Sequence, residues 1–262
     1  MKTKISALLV ACLVSGGLLI LAVWKGIPLL LRGAVSLVPV SWEEKLGETV
    51  TGTLAREGAT CENEELLASI EEIQERLEPA LAPNPYRFQI KVVNVPEVNA
   101  LAAPGGHLVL FYGLVERMDT PEQLAGVVAH EMQHVVQRHS MNAMARALGM
   151  QLFFALVLGD AGGLTGLAGG LGLLHFMRSD EKSADLAGIE TLMRAGIAPR
   201  SMVEGFAKLK AANNSAEPSW KYLSTHPPTE ERIAYLEDRS RQWKGTPRPF
   251  RRPLAKFCAA AR

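Results

Sequence analysis

The chain has 262 residues, 48% of them apolar, with 28 Lys and Arg against 27 Asp and Glu and only three cysteines. That apolar content excludes a disordered chain and three cysteines exclude a disulfide framework, so one globular domain with an accessory segment is expected. The net charge of +1 hides an asymmetry: Lys2, Lys4, Lys25 and Arg32 stand without an acid in residues 1–40, while residues 41–262 hold 24 bases against 27 acids. A slightly acidic folded part excludes a broad nucleic-acid footprint, which needs clustered Lys and Arg.

Ile5 to Val23 is an uncharged run of 19 residues, preceded by Lys2 and Lys4 and closed by Trp24-Lys25. It is long enough to span a bilayer, and no small-residue cleavage site follows it, so residues 1–25 read as an uncleaved signal anchor. The rival reading is a lipidated Cys12, since Leu9-Val10-Ala11-Cys12 is similar to a lipoprotein cleavage box. Residues 26–60 form a membrane-proximal segment whose apolar, Pro-broken start lies along the membrane or against the domain.

From residue 61 the pattern turns helical. Leu66, Leu67, Ile70, Ile73, Leu77 and Leu81 recur at three- and four-residue spacing among glutamates, ended by Pro79 or Pro83. Arg87–Val95 and His107–Tyr112 alternate as strands across the loop Ala103-Pro104-Gly105-Gly106. Thr120, Pro121 and Gln123 make a helix start of capping-box type, with the helix expected to reach about Leu148. Residues 147–177 hold only Asp160 and His175 as ionisable groups and seven glycines between Gly159 and Gly172. A membrane hairpin, an apolar lid over a groove and buried core all fit that composition; a lid or membrane-touching loop is favoured. Helical patterns follow near 180–195, 200–213 and 228–243. The tail, 244–262, has six bases, no acid and three prolines, and reads as extended, loosely ordered and drawn to anionic lipid. Cys61 and Cys258 either bridge in an oxidising compartment or remain thiols.

The chemistry concentrates in His130-Glu131-Met132-Gln133-His134, inside the helix opened by Thr120. Residues i and i+4 share a helix face, so His130 and His134 can offer two imidazoles to one metal ion. Glu131 lies about 100° round the helix, placed to take a proton from a water that the metal activates and to pass it to a leaving amine. Glu181 and Asp185 also stand at i and i+4; one carboxylate can complete the metal site while the other accepts the spare ring N–H of a ligand histidine. His139 falls about 140° from His134 on a continuous helix, which keeps it off the same metal and gives it a structural reading.

His130-Glu-Met-Gln-His134, Glu181-x-x-Ala184-Asp185 and Ser224-Thr-His226-Pro-Pro-Thr-Glu-Glu-Arg232-Ile, in that order, resemble the signature segments of the membrane-linked gluzincin zinc metallopeptidases. That group includes HtpX, BepA, the CAAX prenyl endopeptidases and the stress-activated peptidase of the mitochondrial inner membrane; the likeness is strongest to short, single-anchor members. Asn99-Ala-Leu-Ala-Ala-Pro-Gly-Gly resembles the segment before the zinc helix, and Val38–Gly47 the one after the anchor. The resemblance implies one Zn2+ per chain on His130, His134 and Glu181, Glu131 as general base, and Asp185 as partner of a ligand histidine. It implies that His226 either donates to the oxyanion or closes on the zinc as a fourth ligand; Arg232, about one helical turn beyond, is expected on geometry to anchor that loop by pairing with a buried carboxylate such as Asp185. It implies that Asn99, Ala100 and Ala102 belong to an edge strand along which an extended substrate adds its own strand. The chain shows neither the further spans of HtpX-like members nor the helical repeats of BepA-like ones, so recognition through a repeat domain is not expected.

Residues and resemblance together predict a mainly helical α+β fold: a zinc metallopeptidase domain with a small β-sheet over 61–243, behind one transmembrane helix. The expected function is a membrane-anchored endopeptidase acting on unfolded or misfolded membrane or envelope proteins, with the catalytic domain on the periplasmic side of a bacterial inner membrane. Its alternatives are a membrane-anchored chaperone or scaffold that keeps the zinc fold as structure, and a CAAX-type prenyl protease.

Overall fold

A computed structural model describes residues 15–17, 26, 29–57, 60–81, 83–157, 176–213, 222–227 and 229–258. Among these no helix is long and apolar enough to cross a membrane. The expected anchor, Ile5–Val23, and most of the Gly-rich stretch fall largely or wholly outside the described residues.

Residues 29–36 are helical and lead into α1 (Val40–Glu57). One side of this segment is buried: Leu31, Val35, Val38, Leu46 and Val50 form a small core with Ala103, Met141, Met144 and Ala145. The other side leaves Leu29, Leu30 and Leu37 71%, 73% and 82% exposed. α1 sits directly on the Pro104–Gly106 turn, where a Cβ at Gly105 would lie 2.3 Å from the Glu44 backbone and one at Gly47 would lie 2.0 Å from Pro104 O. With Gly105 also at φ 69°, the turn needs glycine for both conformation and close approach.

α2 (Glu64–Leu77) begins three residues after the expected residue 61, capped by Asn63, whose Oδ1 accepts from Leu66 N at 2.8 Å. Its Leu66, Ile70, Ile73 and Leu77 are buried at the expected spacing, each contributing about 1.5–3 kcal/mol relative to exposure. The helix ends where Glu78–Ala80 tightens into a 3-10 turn around Pro79. Three strands follow: β1 (Gln89–Val93), β2 (Ala100–Ala102) and β3 (His107–Phe111). The order is β1-β3-β2, β1 parallel and β2 antiparallel to β3, so β2 is an edge of the described sheet.

After α3 (Tyr112–Arg117), α4 (Pro121–Val136) opens at Thr120, whose Oγ1 accepts from Gln123 N; the Gln123 side chain reaches back to Asp119 N instead of the Thr120 amide. α4 is buried almost all round, packed mainly against α6 (Arg178–Arg194) and α7 (Arg200–Asn213). It does not run on to Leu148. It stops at Val136, Arg138 takes φ 55°, and α5 (His139–Val157) starts in a new direction, broken again at Gly149. The short α8 (Tyr222–Thr225) and α9 (Glu230–Gln242) complete the helical set.

The tail is extended but bound. Arg248 N donates to Gly196 O at 2.8 Å, Arg76 Nη2 to Arg248 O at 2.8 Å and Arg251 N to Glu72 Oε1 at 2.8 Å. Cys61 and Cys258 are joined, with Cα atoms 5.2 Å apart. The loosely ordered reading is therefore corrected for residues 244–258: the prolines set the extended form, while side chains of α2 and the disulfide hold it.

Candidate metal centre

Three separate elements meet at one buried cluster: α4 brings His130 and His134, α6 brings Glu181, and the turn after α8 brings His226. One ligand atom from each of the four lies within 4.8 Å of all the others. His130 Nε2 is 3.0 Å from His134 Nε2 and 3.3 Å from His226 Nδ1, and Glu181 Oε1 is 3.3 Å from His134 Nε2 and 2.8 Å from His226 Nδ1. Four donors about 2.0–2.1 Å from one tetrahedral ion would lie about 3.3 Å apart, so nitrogen and carboxylate donors at these separations fit a metal of that size.

Glu131 supports the same fit. Its residue is wholly buried and, among the described residues, neither carboxylate oxygen has a hydrogen-bond partner; His226 Nε2 lies 3.8 Å from Oε1. A carboxylate buried without partners is costly unless the site supplies some. Tyr222, stacked on His226 with ring centroids 4.7 Å apart, likewise buries an unpartnered hydroxyl.

The surrounding shell explains the orientation of the donors. His130 Nδ1 lies 2.9 Å from Asp185 Oδ1, turning Nε2 inward. Arg232 Nε and Nη2 fork onto Asp185 at 2.7 and 2.8 Å, its Nη1 lies 2.8 Å from Glu181 Oε2 and donates to Pro227 O at 3.0 Å, and Tyr235 OH also donates to Asp185. Arg232 thereby ties the His226 loop to α6. Burial alone would raise the Asp185 carboxyl, but His130 and Arg232 bring it down to about 2. Burial would raise Glu181 too, and the three histidines hold it well below the usual carboxylate range. Burial alone would lower His130, yet Asp185 and Glu181 beside it raise it to about 9, whereas burial prevails at His134 and lowers it strongly.

Residues outside the sequence-derived set also reach the cluster. Phe176 lies over His134 at 3.9 Å between ring centroids and 5.1 Å from His226, at the lip of a cavity of about 560 Å³ that Glu181, Arg232 and Tyr235 also line. Its only sequence signal is its place at the end of the apolar stretch. His139 Nδ1 is 3.1 Å from His134 Nδ1, a meeting that continuous helix geometry does not foresee. Farther off, Glu43 is buried, with Tyr86 OH donating to its Oε2 at 2.9 Å and Arg138 Nε, which donates to Tyr86 OH, forming an ion pair 3.0 Å from its Oε1; burial, the strongest influence, lifts its carboxyl to about 6.

The substrate-strand residues are placed at β2. Asn99 O accepts from Phe111 N and Ala103 N donates to His107 O, so by antiparallel alternation the backbone groups of Ala100 and Ala102 turn to the free edge. There Ala100 N is held by Asn99 Oδ1 at 3.0 Å and Ala102 O by Ser140 Oγ. Asn99 acts on its own strand and on Glu97.

The profile of Peptidase family M48 matches residues 62–240. The β-barrel assembly-enhancing protease of Escherichia coli (strain K12) is 36% identical over 173 residues, 60% of this chain and 35% of that protein. The mitochondrial metalloendopeptidase OMA1 of Schizosaccharomyces pombe is 31% identical over 157 residues, 58% of this chain and 46% of that protein. Metalloprotease LoiP of Escherichia coli (strain K12) is 30% identical over 158 residues, 57% and 61% respectively. The aligned region thus covers about a third of the length of the β-barrel assembly-enhancing proteases. The family match takes in every residue of the buried cluster and more than half of the sequence, and the chain belongs to peptidase family M48.

Proposed function

We propose that this chain is a membrane-anchored zinc endopeptidase that hydrolyses peptide bonds in unfolded or misfolded membrane or envelope proteins. The observation that carries the reading is Glu131, a fully buried carboxylate with no hydrogen-bond partner among the described residues, beside a His130–His134–Glu181–His226 donor set. His130, His134 and Glu181 would hold the zinc, with His226 as a further donor beside them. The metal supplies Lewis acidity, which polarises the peptide carbonyl and makes a water acidic enough to give up its proton near neutral pH.

Glu131 takes that proton as the water adds to the carbonyl, then delivers it to the leaving amine. His226, released from the donor set, donates to the oxyanion that develops on the substrate, where negative charge appears only as bonds change. Asp185 keeps His130 in the tautomer with Nε2 free, and Arg232 keeps Asp185 ionised. Substrate in extended form pairs with the β2 edge after displacing Asn99 Oδ1 from Ala100 N and Ser140 Oγ from Ala102 O. Main-chain pairing gives broad sequence tolerance, which suits unfolded clients.

Residues 1–25 serve as the anchor, 26–60 as the segment that seats the domain on the membrane, and 61–243 as the peptidase. The exposed Leu29, Leu30 and Leu37 support contact with lipid, and the Cys61–Cys258 disulfide supports an oxidising compartment such as the periplasm. The test is proteolysis in proteoliposomes. A reduced, alkylated model protein should be cut internally, its folded form spared, and cutting should vanish on chelation and return with zinc. A zinc-loaded chain that binds the unfolded protein without cutting it would favour the chaperone reading.

A further inference from the structure

We infer that His139 is a positioning residue that fixes the ring of His134 for metal binding, through a hydrogen-bonded chain anchored on α6. The inference rests on the metallopeptidase reading above. His139 is buried, with Nδ1 3.1 Å from His134 Nδ1, the two rings crossing at 70°. Its other nitrogen, Nε2, lies 3.3 Å from Ser183 Oγ, and Ser183 Oγ donates to Asp180 O at 3.1 Å.

The donor directions along this chain follow from its α6 end. With the Ser183 hydroxyl donating to Asp180 O, its Oγ is left to accept from His139 Nε2–H. The His139 ring, having its proton on Nε2, offers a lone pair at Nδ1 and accepts from His134 Nδ1–H. His134 is then left with its lone pair on Nε2, the atom 3.3 Å from Glu181 Oε1 and 3.0 Å from His130 Nε2 in the donor cluster. The two ligand histidines are thus oriented by different means: His130 by the Asp185 carboxylate, His134 by a neutral imidazole.

Arg138 makes this possible. On an unbroken helix His139 would point about 140° away from His134. The left-handed Arg138, φ 55°, ends α4 and returns His139 to its neighbour. That conformation is costly without glycine, and it is held from outside the helix: Arg138 Nη1 donates to Val35 O at 3.0 Å and Ser36 O at 3.1 Å, and Nε lies 3.0 Å from both Tyr86 OH and Glu43 Oε1.

The test uses the full chain in detergent and reads metal affinity by chelator competition, with the absorption spectrum of the cobalt-loaded protein as a measure of ligand geometry. His139→Ala should weaken metal binding by about 10–100-fold, the usual cost of losing a ligand's outer partner, and alter the cobalt bands. His139→Asn puts an acceptor where Nδ1 stood and should recover most of the affinity. His139→Gln keeps a polar atom near Ser183 but none at the Nδ1 position, and should resemble the Ala variant. Equal affinity in wild type and His139→Ala, or rescue by Gln and not by Asn, would overturn the assignment. A wild-type chain that binds no metal would instead overturn the metallopeptidase reading on which it rests.

Discussion

Asp185 and Arg232 meet as a buried two-pronged pair, with Nε 2.7 Å from Oδ2 and Nη2 2.8 Å from Oδ1, while the same carboxylate lies 2.9 Å from His130 Nδ1. A planar fork matches a carboxylate as an ammonium cannot. Arg232→Ala should therefore cost about 3–5 kcal/mol of stability, because it leaves a buried charge uncompensated, and Arg232→Lys should recover only part. Urea unfolding with zinc in excess measures both. An Ala variant within about 0.5 kcal/mol of wild type, the range of ordinary surface substitutions, would contradict this account of the shell.

Phe176 covers the donor cluster, its ring 3.9 Å from that of His134. Because Phe176 packs on His134 and lines the cavity beside Glu181, Phe176→Ala should raise kcat/KM for a short unstructured peptide several-fold without changing metal content. Unchanged or lower turnover in a folded, metal-loaded variant would count against the shield.

Glu43 gives a pH signature remote from the donor cluster. Its carboxyl titrates at about 6 in the fold against an ordinary 4.5. A group whose folded value is raised contributes stability below the unfolded value and loses it as pH rises through the folded one. Across the whole transition, from about pH 3 to about pH 7.5, this residue should remove about 2 kcal/mol. Glu43→Gln cannot titrate, so the difference in unfolding free energy between wild type and variant should shift by that amount over the interval. Parallel curves would show that Glu43 does not titrate there.

Much of this arrangement was legible in the residues themselves. Thr120 announces a helix start because a side-chain oxygen can satisfy an otherwise unpaired amide, and it does so for Gln123 N. The i, i+4 pairs His130/His134 and Glu181/Asp185 fall on facing sides of α4 and α6. What escaped was set by distant parts of the chain. α1 has few apolar residues and carries Gly47 where a helix former is expected, because its seat is the backbone of the Pro104–Gly106 turn. The break at Arg138 carries no glycine to mark it; Glu43, Val35 and Ser36, about a hundred residues away, impose it. The tail's prolines spoke for extension and its charge for lipid, while the partners it uses, Arg76, Glu72 and Cys61, sit on or beside α2.

The disulfide closes the tail over the domain, joining cysteines 197 positions apart in the sequence. Constraining so long a loop in the unfolded chain should be worth about 2–5 kcal/mol. Cys258→Ser should lower Tm while leaving metal affinity unchanged, since neither cysteine belongs to the donor cluster. A variant with unaltered Tm would mean that Arg248 and Arg251 hold the tail unaided.

Glu131, the proposed proton carrier of this metal-dependent peptidase, is tested most directly by Glu131→Gln. Gln keeps the shape and removes the base, so bound metal should match wild type while cleavage of an unfolded protein falls by about 10²–10⁴-fold. Cleavage at the wild-type rate by a metal-loaded Glu131→Gln chain would contradict the account.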